Sequence, residues 1–305
     1  MDVLSLRAAA GGGSIDGIPA ASLVAAGFTL LQRSPALVRA LAGKRAAILL
    51  PTSPQFLVAL AAADGRGAVL MSPLCAPAEV ADQLEGAGVG AVITIASLAT
   101  RLPPGTVHVL LDAAPAHATV VIADGARTRV DLGSHFGLDV EGDVESPGRD
   151  EECVVVYTSP RGGRATSAIL THRALLASAR QTVAVAALGA GDHLLAVLPW
   201  SDPLGLTIAG IAPLLAGARV STMAHFDPIG ALDKLANDGV TILAGLPASF
   251  AELLTEIGTR GRFGASPLRI CVCGGAPPEV ALQRRWTDAT GVELRPSSGL
   301  LVVGA

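Results

Sequence analysis

From residue 46 onward the apolar residues fall into short unbroken runs, and the stretches between them repeat apolar positions every three or four residues. Runs at 46–50, 68–71, 89–95, 107–111 and 118–122 read as buried strands. Between the first three, 54–63 and 77–87 read as helices; Ser53-Pro54 opens the first, with proline where a missing N–H costs nothing. The N-terminal region is rich in Ala and Gly, and the spacing of Leu23, Phe28, Leu31 and Leu37 predicts a helix over roughly 21–41. After residue 152 the alternation resumes, with strands at 153–157, 168–170, 193–198, 218–222, 240–244, 268–273 and 292–295. Helices fit between them at 172–188, 206–215, after Asp227-Pro228, at 247–257 and from Pro277-Pro278 to Ala289. Short apolar strands separated by helices imply βαβ units, hence an α/β fold of stacked helices and mostly parallel sheets buried on both faces. In such sheets ligands sit beyond the carboxyl ends of the strands, which is where 157–164, 200–205 and 274–277 fall.

Composition refines the picture in three ways. Half of the 305 residues are hydrophobic but only 3 % are aromatic, so Ala, Val and Leu must fill the core and helices can approach sheets closely. The net charge of −4 gives no reason to expect nucleic acid or an anionic membrane as partner. Uncharged runs at 17–32 and 203–218 are too short to span a bilayer, and the start lacks a signal peptide's basic and apolar regions, so a cytoplasmic protein is expected. Residues 137–152 carry seven acidic residues among Gly and Pro, a solvated connector between a first lobe (1–136) and a second (153–305). Of the cysteines, Cys271 and Cys273 would share one face of a strand; with no His or Cys cluster beside them, they read as core packing rather than a metal pair.

One stretch carries candidate chemistry. Cys153–Val156 run into Tyr157-Thr158-Ser159, then come Pro160, Arg161, Gly162, Gly163 and Arg164, the triplet Ala168-Ile169-Leu170, and Thr171-His172 at a helix start. Glycines between a strand and a helix let backbone N–H groups converge on an anion. This stretch resembles the signature loop of the adenylate-forming superfamily, which includes AMP-forming acyl-CoA synthetases: Y-T-S-G-[ST]-T-G-x-P-K-G, an apolar triplet, then T-H. The ends match, but Arg161-Gly162 stand for the hydroxyl pair and Thr166-Ser167 for Lys-Gly.

Further likenesses follow in order. Leu198-Pro199-Trp200-Ser201-Asp202-Pro203-Leu204-Gly205 sits where the family has L-P-x-x-H, two residues and G-L. The run from Val240 to Leu246 and Pro247 resembles V-T-x-x-x-x-[VL]-P, and Leu268 to Pro278 contains G-G-A-P as Gly274-Gly275-Ala276-Pro277. Ser298-Gly299-Leu300-Leu301-Val302 occupies the place of Y-G-L-T-E. The resemblance implies the N-terminal core of an adenylate-forming enzyme, with its C-terminal domain absent from this chain. It implies that Thr158, Ser159, Arg161, Gly162, Gly163, Arg164, Gly274–Pro277 and Gly299 would face ATP or AMP, and that Trp200, Asp202, Gly205 and Leu246 would line a pocket for an acyl or aryl carboxylate.

The same resemblance marks what is missing. Asp202 replaces the family histidine, the stacking ring, hydroxyl and magnesium-binding glutamate of Y-G-L-T-E are gone, and no lysine stands in the loop; Lys44 and Lys234 are the only two lysines. No catalytic or metal residue is therefore assigned, magnesium binding is doubtful, and nucleotide binding is weak or lost. Arg161 and Arg164 either bind an anion or form a solvated loop, while Trp200 and Asp202 either line a residual pocket or serve structure. His172 reads as a capping or packing residue rather than a base. Three functions stay open: an impaired acid–thiol ligase, an adenylating subunit completed by a partner, or a non-catalytic module that binds an active homologous ligase or forms a homo-oligomer.

Overall fold

The structure is a computed structural model, and it describes residues 13–63, 67–114, 116–133, 151–157 and 166–297. These residues form two compact units. The first runs from Ile18 to Leu175. The second comprises residues 13–17 and 176–297 of those described.

Two short strands, β1 (Ser14–Ile15) and β2 (Ile18–Pro19), precede the first helices. The helix expected over 21–41 is two, α1 (Ala20–Gln32) and α2 (Pro35–Leu41). Pro35 disfavours helical backbone at Ser34 and cannot donate an N–H, so the chain breaks there. Next come β3 (Arg45–Leu49), α3 (Pro54–Ala62), β4 (Ala68–Met71), α4 (Pro77–Gly86), β5 (Val89–Thr94), α5 (Ala96–Ala99) and β6 (His108–Leu111). The unit continues through β7 (His117–Val121), β8 (Arg127–Asp131), β9 (Glu152–Tyr157) and β10 (Ser167–Thr171). Its sheet has the order β10-β9-β4-β3-β5-β6-β7-β8, parallel from β9 to β6 and antiparallel at both edges.

The second lobe was expected to begin at residue 153, but β9 pairs with β4 and the first unit extends to Leu175. Four successive buried residues, Cys153–Val156, explain this: a strand buried on both faces needs neighbours on both sides, which β4 and β10 supply. β8 was not anticipated, because Arg127-Thr128-Arg129 is exposed and polar, as suits an edge strand.

Small side chains let α1 and α3 pack closely. A Cβ on Gly27 would stand 2.4 Å from the Val58 carbonyl oxygen and 2.6 Å from the Ala61 Cβ. α3 is buried at all but its first residue, and the amide of its one buried polar residue, Gln55, donates to the carbonyls of Asp112 (3.0 Å) and Ala113 (2.7 Å).

The second unit continues with α6 (His172–Val185), whose first residues belong to the first unit, then β11 (His193–Ala196). Helical turns at Pro203–Gly205 and Ala212–Leu215 flank a π-helical segment, Leu206–Ile211, where a single α-helix was expected. Pro213 has no N–H for the carbonyl four residues back, and the Ala212 N–H reaches instead to Thr207, five residues back. β12 (Arg219–Thr222), α7 (Pro228–Asn237), β13 (Ile242–Gly245), α8 (Pro247–Arg260), β14 (Ile270–Cys273), α9 (Val280–Thr290) and β15 (Leu294–Pro296) follow. The strands run β15-β14-β13-β11-β12-β1, every pair parallel.

On one face of this sheet Leu195, Leu243, Cys271, Cys273 and Leu294 form a core with α7, α8 and α9, including Phe250 and Trp286, whose rings meet edge to face at 4.8 Å. Cys271 and Cys273 thus share a buried face, as the strand period requires. Burial raises both thiols, Cys271 to about 12 and Cys273 to about 11.

Candidate functional site

The carboxyl ends of β11, β13 and β14 are brought level by register, Ala196 opposite Ala244 and Gly245 opposite Cys273. Ladder-like bonds continue past the strands: the Gly274 N–H donates to Gly245 (2.9 Å) and the Ser297 N–H to Cys273 (2.8 Å). Three sequence motifs meet here. Gly205 lies against the turn after β11, where a Cβ would come within 2.1 Å of the Pro199 carbonyl oxygen. Its neighbour Leu204 in turn presses on Gly274, where a Cβ would meet the Leu204 Cδ2 at 2.5 Å. Gly275 has φ +80°, a conformation that favours glycine, and a Cβ there would stand 2.9 Å from the Leu246 Cδ2. Gly205, Leu246, Gly274 and Gly275 are therefore one cluster, with Gly275, Ala276 and Pro277 exposed as a strip of nearly bare backbone.

Two residues expected in the pocket are placed otherwise. Trp200 is 2 % exposed, and its ring lies 3.4 Å from where a Gly210 Cβ would be, so it packs the π-helical segment. Asp202 turns its carboxylate onto backbone, accepting from the N–H groups of Leu204 (2.8 Å) and Gly205 (3.4 Å) as an N-cap.

Thr158, Ser159, Arg161, Gly162, Gly163, Arg164 and Gly299 lie outside the described residues. The loop's flanks are described. The Tyr157 hydroxyl donates to the Gln83 carbonyl (3.1 Å), and burial raises its pKa. The Thr171 hydroxyl accepts from the Ala174 N–H (3.2 Å), and His172 is fully buried, so capping falls to Thr171 and packing to His172.

The sequence reading missed a cleft of about 280 Å³ on the opposite face of β14 from the cysteines. Ile270 and Val272 form its floor, Gln181, Thr182 and Val185 of α6 one wall, Ile208 of the π-helical segment another, and Arg295, Pro296 and Ser297 a rim. Alternation in Ile-Cys-Val-Cys could have flagged this face, since the cysteines take one side and leave Ile270 and Val272 on the other. A smaller hollow of about 170 Å³ beside Arg260 offers little: that guanidinium is held by Asp233 (2.7 Å), Glu256 (2.9 Å) and the Ile229 carbonyl (3.2 Å).

Residues 36–299 match the family model described as AMP-binding enzyme. This chain is a member of the AMP-binding enzyme family. Among relatives of this AMP-binding domain, 4-coumarate–CoA ligase-like 3 of Oryza sativa subsp. japonica is 30 % identical over 260 residues, covering 79 % of this chain and 44 % of the relative. Feruloyl-CoA synthase of a Streptomyces species is 28 % identical over 248 residues, covering 81 % and 47 %. The chain thus spans about half the length of these relatives. The fold is shared with the N-terminal domain of FACL13 from Mycobacterium tuberculosis, with TM-score 0.76, 23 % identity, and coverage of 97 % of this chain and 75 % of that one. Apo MatB from Rhodopseudomonas palustris gives TM-score 0.72 at 22 % identity, with coverage of 98 % and 60 %.

The AMP-binding domain thus carries an exposed strip of nearly bare backbone at Gly275, Ala276 and Pro277 and, on the other face of β14 from the cysteines, a cleft with Ile270 and Val272 in its lining. Among its described residues no three His, Cys, Asp or Glu side chains lie together as a metal site. No helix of the described residues is long and apolar enough to cross a membrane.

Proposed function

We propose that this domain derives from an ATP-dependent carboxylate-adenylating enzyme of the acyl-CoA synthetase type, keeps adenosine and acyl recognition, and is impaired in adenylation on its own. The reading is carried by a contrast at the strand ends. Uncharged features are kept, in Gly205, Gly274 and Gly275 at approaches that admit no side chain, while Asp202, at the family histidine's place, is committed to capping a turn.

Adenylation joins a carboxylate oxygen to the α-phosphorus while pyrophosphate leaves, which needs positive charge on the departing oxygens. Neither lysine supplies it: Lys44 belongs to the turn before β3, and Lys234 on α7 pairs with Asp238 at 3.3 Å. In sequence, the loop lysine is replaced at Thr166-Ser167 and the glutamate is absent from Leu300-Leu301-Val302. The names of the relatives, coumarate and ferulate ligases, suggest an aryl carboxylate for the apolar cleft.

Calorimetry with AMP and ATP, followed by pyrophosphate release with ATP, magnesium and hydroxycinnamates, tests this. AMP is expected to bind at least as tightly as ATP, and release to be silent for the chain alone. Robust release by the chain alone would sink the reading. Release only after adding a homologous ligase would replace it with a subunit completed by a partner.

A further inference from the structure

β15 is the last strand of its sheet among the described residues, and the register sets Arg295 opposite Val272. Paired residues of neighbouring strands project to the same face, so Arg295 stands on the face that carries Ile270 and Val272, where the pleat otherwise places apolar side chains. Its Nε donates to the Glu293 Oε2 at 3.3 Å, a pair more than half exposed at both ends. Its Nη1 and Nη2 have no partner among the described residues, nor does the Gln181 amide across the cleft. An apolar floor with a guanidinium fork and an amide at its margin is a pattern that selects an amphipathic anion.

We propose that Arg295 makes this cleft selective for acids with a second anionic group on an apolar or aryl body, held by the guanidinium with Gln181 assisting. This rests on the reading that the acyl body occupies the cleft. The other role such an arginine could play is blocking strand addition at the sheet edge, which involves no ligand.

The full chain is titrated without nucleotide against cinnamate and 4-carboxycinnamate. The dicarboxylate is expected to bind about tenfold more tightly, the effect of one charge-assisted contact. Arg295→Leu should abolish the difference and Arg295→Lys should restore part of it, with AMP affinity unchanged in both. Glu293→Gln, on an exposed side chain, should tighten the dicarboxylate alone and serves if Arg295→Leu fails to fold. Equal binding of the two acids overturns the selectivity and leaves the acyl-cleft reading standing. Failure of both acids to bind overturns both, and the AMP titration reports separately on nucleotide recognition.

Discussion

At the scale of single residues, the strongest electrostatic anchor lies away from the candidate site. Asp192, immediately before β11, accepts two hydrogen bonds from Arg269 (2.9 and 2.7 Å), one from Thr241 (2.8 Å) and one from the Gly189 N–H (3.0 Å). Chiefly through the Arg269 bonds, its carboxyl is held down at about 2. Arg269 also donates to the carbonyls of Ala186 and Ala187 (both 3.1 Å), so this cluster ties the end of α6 to the amino ends of β11 and β14. Replacing Asp192 by Ala leaves a partly buried guanidinium without its carboxylate and is expected to cost about 2 kcal/mol, read from urea unfolding at pH 7. The thiols make a second prediction. Cys153, Cys271 and Cys273 are buried and Cys75 is half-exposed, so native protein should titrate at most one thiol with a disulfide reagent and four once unfolded. Rapid modification of Cys271 or Cys273 in the folded state would contradict the buried face assigned to them.

Between elements, what decides the packing is what is absent from the side chains. Low aromatic content leaves α1 and α3 to touch through backbone and methyl groups, and Gly27 is where a substituent has least room. Gly27→Val should destabilise by roughly 1–3 kcal/mol through overpacking, whereas the same change at Gly258 of α8, with open space around it, should be neutral or slightly stabilising, because valine is the better helix former. Comparing the two urea midpoints separates packing from propensity. The elements themselves were legible in proportion to the strength of their period. Buried parallel strands such as Ala68–Met71 stand where continuous apolar runs put them, and Asp227 caps α7 through the N–H groups of Ile229 (3.2 Å) and Gly230 (2.9 Å), as Asp-Pro suggested. The polar edge strand β8 left no apolar trace, and the π-helical segment depends on how Pro213 is bridged, which periodicity does not carry. At the site, glycine motifs were legible because backbone approach is written in residue type. The fate of Asp202 was not, because a carboxylate reads the same whether it caps a turn or lines a pocket until its neighbours are placed.

Across the whole molecule, the two units differ in how their stability depends on pH. The second holds Asp192 and, beside it, His193, whose pKa burial lowers first of all, with Arg219 adding to the effect. The His193 ring is held between the Asp238 carbonyl (3.0 Å) and the Ser221 hydroxyl (2.8 Å). Both groups have folded values below their unfolded ones, so each contributes stability above the unfolded value, about 6.5 for His and about 3.9 for Asp. That contribution is lost as pH falls through the folded value, first for His193 and then for Asp192. In the first unit the salient ion pair is Arg45 with Glu152 (2.7 Å), whose side chains are 32 % and 42 % exposed, and a pair of that kind contributes about 0–1 kcal/mol. Acidification from pH 7 toward 4 should therefore weaken the sheet of β11, β13 and β14 before that of β3, β4 and β5. Hydrogen exchange followed by mass spectrometry resolves the two sheets. Peptides covering 193–196, 242–245 and 270–273 are expected to lose protection at higher pH than those covering 45–49, 68–71 and 89–94, and His193→Gln should narrow the gap. If both sheets lose protection together, or the first leads, the acid sensitivity does not reside in the Asp192–His193 cluster.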